Sequence, residues 1–105
     1  MSIKDDVKED LAAAYPRLGR SDLERVVTLL AQAPATGNGT STATALEPLM
    51  PEVARRLGPL SGTDVPDYLR VLQGAVTTTL QSWKDPSGPG PGIGEIHSFI
   101  DTAAD

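Results

Sequence analysis

Cysteine is absent and histidine occurs once, at His97. Without cysteine there is no disulfide framework, no thiolate zinc ligand and no cysteine nucleophile. One histidine cannot build a multi-histidine metal site. On the polar flank of a predicted helix, His97 reads as a solvated surface residue rather than a member of a catalytic triad. Aromatic side chains are scarce, with one Phe, one Trp and two Tyr. The core must therefore come from Leu, Val, Ile and Ala, which suits packed helices better than a β-sandwich. No apolar run approaches the roughly 20 residues that span a bilayer. The opening MSIKDDVKED is charged and lacks the apolar stretch of a signal peptide. A soluble, cytoplasmic protein with no membrane partner is expected.

Concentrated positive charge is also missing. The formal net charge is -5, and residues 85–105 carry Asp85, Glu95, Asp101 and Asp105 with no base. Duplex binding relies on clustered Lys and Arg to displace counterions from phosphates, so no nucleic-acid partner is expected. The nearest approach is Arg17, Arg20 and Arg25, balanced by Asp22 and Glu24, on the first two predicted helices, whose order imitates a helix-turn-helix.

What remains is helical periodicity within 105 residues, one domain's length. Ile3, Val7, Leu11 and Ala14 predict a helix from Ser2, as cap, to Tyr15, with Lys4, Lys8, Glu9 and Asp10 on a solvated face. Ser21-Asp-Leu-Glu24 matches a capping box. It opens a second helix with Leu23, Val26, Val27 and Leu30 inside, predicted to stop before Pro34. Residues 34–44, PATGNGTSTAT, read as a long flexible loop. Leu46, Leu49, Met50, Val53, Leu57 and Leu60 are helically spaced, but Pro48 and Pro51 interrupt them. Either a short turn precedes a helix starting at Pro51, or one kinked helix starts near Ala45, and Gly58-Pro59 ends both. The longest helix spans Asp64 to Lys84, capped by Thr63 or Asp64, with Val65, Leu69, Leu72, Val76, Leu80 and Trp83 as its stripe. Residues 85–92, DPSGPGPG, cannot be helical. Beyond them Ile93, Ile96, Phe99 and Ile100 mark a short acidic amphipathic helix over Gly94–Ala103. The fold class expected is all-α, a small four- to five-helix bundle with a Gly/Pro-tethered C-terminal helix. Its parts are a body over 1–84, a linker over 85–92 and an acidic segment over 93–105.

No motif carries chemistry, so no enzyme, catalytic residue, metal, cofactor or small-molecule substrate is expected. GPGPGIGE lacks the preceding strand, the lysine and the spacing of a phosphate loop. The paired acids Asp5/Asp6 and Glu9/Asp10 sit on an exposed helix face near the N-terminus, where the helix dipole favours acids, and Arg55-Arg56 reads as a solvated helix end complementing the C-terminal dipole. The functional expectation is a non-enzymatic protein–protein interaction module, such as an adaptor, inhibitor or assembly subunit, binding a protein partner or its own copies. Its handle is Ile93, Ile96, Phe99 and Ile100 with Glu95 and Asp101, plus Trp83 as an anchor, laid out as a helix-in-groove ligand. The same helix could instead fold back on its own bundle. Two alternatives stand beside this: a small oligomeric virion or head–tail connector-like assembly protein, and a small DNA-associated regulator using the first two helices.

Overall fold

Six α-helices and one 3-10 turn, with no strand, make up the described residues of the computed structural model, which are 3–36, 39–59 and 64–104. The cap at Ser2, the stripe position Leu60 and the cap at Thr63 lie outside them.

Helix α1, Ile3–Ala14, buries Val7, Leu11 and Ala14. Pro16 disfavours α geometry at the residue before it, and the chain tightens into the 3-10 turn Tyr15–Arg17 before Leu18 turns extended. Helix α2, Arg20–Thr36, starts earlier than the capping box predicts. Asp22 rather than Glu24 reaches back, its carboxylate accepting from the Gly19 N–H at 3.0 Å, and Glu24 faces Arg20 at 3.7 Å instead. The helix also continues past Pro34. A proline this close to the end forfeits one backbone bond and no more of the ladder.

Most of the expected loop is helix α3, Gly39–Leu46; positions 37 and 38 lie outside the described residues. Thr42 and Leu46 are buried, and α3 packs on both α2 and α4. Packing of this face outweighs the weak helix propensity of the Gly/Thr run. The chain then turns, Met50 N–H bonding to the Leu46 carbonyl at 2.7 Å. Helix α4, Pro51–Leu57, follows with Pro51 in its first turn, so the two prolines mark a turn and a helix start rather than a kink.

Helix α5, Asp64–Ser82, is the spine, touching α1, α2 and α6. It buries Tyr68, Val71, Leu72, Ala75 and Val76. Its β-branched stretch is reconciled with the core at Thr79, whose hydroxyl donates to the Ala75 carbonyl at 2.7 Å. Gly74 forms a notch: a Cβ there would stand 2.9 Å from the Ala103 Cβ, so glycine is what lets α6 approach. Helix α6, Ile93–Ala104, lies on α5 and α1. Ile96 and Ile100 have no exposed surface and join the same apolar core as Leu11, Leu23, Met50 and Leu72. No described helix is long and apolar enough to cross a membrane.

Candidate functional site

Two polar features border this core. The first joins α1, α4 and α5. Spaced one helical turn apart, Asp6 and Asp10 flank Val7 and Leu11 on the inner side of α1, and both are buried. This corrects the expectation that Asp6 and Asp10 lie on a solvated face. Arg56 of α4 closes on Asp10 as a fork, Nε to Oδ2 at 3.0 Å and Nη2 to Oδ1 at 3.3 Å. Tyr68 of α5, fully buried, donates its hydroxyl to Asp10 Oδ2 at 2.6 Å. Asp6 and Glu9 lie 3.6 and 3.5 Å from the same guanidinium. The hydrogen bond to Asp10 holds Arg56 even more firmly protonated than usual. Arg56 is therefore a core partner rather than a solvated helix end.

Burial, then the bond to Asp10, pushes the Tyr68 phenol far above its ordinary value near 10. Since the folded pKa exceeds the unfolded one, this group's stabilisation is complete below about pH 10 and is lost as pH rises above it. In a Tyr15→Phe variant, where Tyr68 is the sole tyrosine, phenolate absorbance should rise only together with loss of helical circular dichroism. A phenolate step while the helices persist would show Tyr68 to be accessible.

The second feature is the strap between α5 and α6. Asp85 organises a turn, its side chain accepting from Ser87 N–H at 3.1 Å and its carbonyl from Gly88 N–H at 2.9 Å, with Pro86 suited to the second turn position. The Trp83 indole N–H donates to the Gly88 carbonyl at 3.1 Å. The Tyr15 hydroxyl donates to the Pro91 carbonyl at 2.6 Å. Gly90 lies against the Trp83 ring and the Tyr15 hydroxyl: a Cβ there would come within 2.6 Å of the ring and 2.7 Å of the hydroxyl. Arg20 donates to the Trp83 carbonyl, placing a cation at the negative end of α5. Burial and the charge of Glu95 both raise the Tyr15 phenol.

The residues singled out from sequence divide between inside and rim. Ile96 and Ile100 are buried, Ile93 and Phe99 are half-buried, and Glu95 is exposed. Asp101 lies 2.7 Å from Lys8 Nζ and 3.5 Å from Lys4 Nζ on α1, and the hydrogen bond from Lys8 holds its carboxyl below the usual range. Arg70 of α5 donates to the Ala103 carbonyl at 2.8 Å. Trp83 is half-buried and belongs to the strap. The seat of α6 is thus an apolar groove between α1 and α5 with cationic rims.

No family model, curated protein or solved structure matches the chain. Among the described residues no group of three or more His, Cys, Asp or Glu side chains could hold a metal ion. An open groove between α3 and α4 is bordered by Glu47, Glu52 and Arg55, and Glu52 is already paired with Arg17 of the 3-10 turn. In the arginine cluster of the first two helices, Arg17 is committed to Glu52 and Arg20 to Glu24 and the Trp83 carbonyl.

Sequence reasoning missed the Asp10–Arg56–Tyr68 cluster, although a signal was present. Asp10 falls three residues after Val7 and four before Ala14, both of the core stripe, which places it on the inner face.

Proposed function

We propose that this chain is a non-enzymatic protein-interaction module whose working element is α6 with its strap. One observation carries the reading: α6, the last described helix, seats as one piece in the groove between α1 and α5. Buried Ile96 and Ile100, flanking Phe99 and Ala103, and a rim of lysine–aspartate pairs hold it there, and two aromatic hydrogen bonds to strap carbonyls hold its tether. Exposed pairs of this kind contribute little, about 0–1 kcal/mol each. Releasing α6 therefore leaves the contacts among α1–α5 and the Asp10–Arg56–Tyr68 lock in place while opening an apolar groove with basic rims. Such a groove suits an acidic amphipathic helix. The two acidic groups and the apolar stripe of α6 give it the matching character of a ligand for a similar groove.

Native-state hydrogen exchange tests the reading. The amides of α6 should open at a free energy clearly below that of α5, as a separate local unfolding unit. Exchange of α6 and α5 through the same global event would reduce α6 to a structural wall and remove the basis for this function.

A further inference from the structure

We infer that the partner for the opened groove is a second copy of this chain, the two copies trading α6 reciprocally. The inference rests on α6 being the displaceable element proposed above. The groove is specified in detail for its own occupant. Gly74 provides a notch sized for Ala103, Lys4 and Lys8 meet Asp101, Arg70 meets the Ala103 carbonyl and Tyr15 meets the Pro91 carbonyl. A helix of unrelated sequence would have to present a small residue and an acid at those places, whereas a second α6 with its strap supplies both by identity and brings the two carbonyls in register.

The strap has the reach to make the trade. Residues 83–92 include three prolines and favour an extended path of about 3.1 Å per residue, roughly 30 Å in all. The protein measures 38 × 25 × 20 Å, so an unfurled strap exceeds the two shorter dimensions and reaches a neighbour lying along either of them. An opened copy leaves Ile96 and Ile100 in water, and reciprocal seating returns both to a core, closing a two-fold dimer. Closure within one copy competes at an effective concentration in the millimolar range. Exchange therefore grows as protein concentration approaches that range, or when the closed strap is disfavoured. Gly90 governs the second route, because its packing on Trp83 and Tyr15 belongs to the tight path that an extended strap does not follow.

Isotopically heavy and light full-length chains are mixed, held to equilibrate at rising concentration and joined by a zero-length carbodiimide, which couples Lys8 to Asp101. Mass spectrometry then sorts the Lys8–Asp101 links by isotope. Heavy–light links should appear and rise with concentration in the native protein. In Gly90→Ala they should rise roughly tenfold further at equal concentration, the size of effect expected from forcing a methyl into a filled site. Same-isotope links alone, at every concentration in the native chain and in the variant, overturn the exchange. So does a dimer whose inter-copy links spare the Lys8–Asp101 pair. If α6 opens locally by hydrogen exchange while its links stay same-isotope, the trade fails and the interaction reading survives; if α6 does not open locally, both fail.

Discussion

Replacing Arg56 with Met should destabilise the protein by about 3–5 kcal/mol, the cost of leaving a buried carboxylate without its cation. Domains of this size are stable by only about 5–15 kcal/mol in total, so the variant is expected to sit close to unfolding. The cause is local. Asp10 is 4 % exposed, its Oδ1 and Oδ2 both face the guanidinium, and among the described residues the ion pair of Asp6 is also with Arg56. Arg56→Lys should rescue little, because one ammonium cannot reproduce a planar fork that meets both oxygens. Asp10→Asn combined with Arg56→Met should recover much of the loss: the amide removes the stranded charge and still offers Tyr68 an acceptor. Urea unfolding of the native protein, Asp10→Asn, Arg56→Met and the double variant gives the interaction energy directly. Additive losses in the double variant would mean that Asp10 and Arg56 stabilise the fold independently, against the geometry described here.

The contrast between Asp10 and Ile100 shows what can be read from residues alone. Ile93, Ile96 and Ile100 announce a helix and its inner face, because apolar residues at helical spacing have one stable use. Asp10 stands on an equally regular inner position, but an acid near a helix N-terminus already has a local explanation in the dipole. The partner that overrides it, Arg56, comes from 46 residues away. The run Gly39–Leu46 failed for a related reason. Gly and Thr are weak helix formers in isolation, and only the faces of α2 and α4 make Thr42 and Leu46 core positions. At the start of α2 two acids were available to reach back, and the letters alone favoured Glu24 over Asp22. The strap was legible as non-helical but not as ordered. Nothing in DPSGPGPG discloses that Tyr15 and Trp83 would hold its carbonyls.

Ile100→Ala should cost about 2–4 kcal/mol, with the loss concentrated at α6. The side chain is wholly buried, and truncating a buried isoleucine removes its transfer energy and leaves a cavity that the neighbours close only in part. The same truncation at Leu72 would weaken the spine and every helix that rests on it, lowering global stability without favouring any one opening. At Ile100 the cavity lies beneath α6, whose remaining hold is buried Ile96, the flanking Phe99 and Ala103, the rim pairs and the strap. Protection of α6 amides should therefore fall by more than protection at α5, and salt should widen the gap by screening Lys4 and Lys8 from Asp101. A uniform loss of protection across α1, α5 and α6 would tie α6 to the global unit. A selective loss would place the weakest joint of the molecule at the groove that the proposed function requires to open.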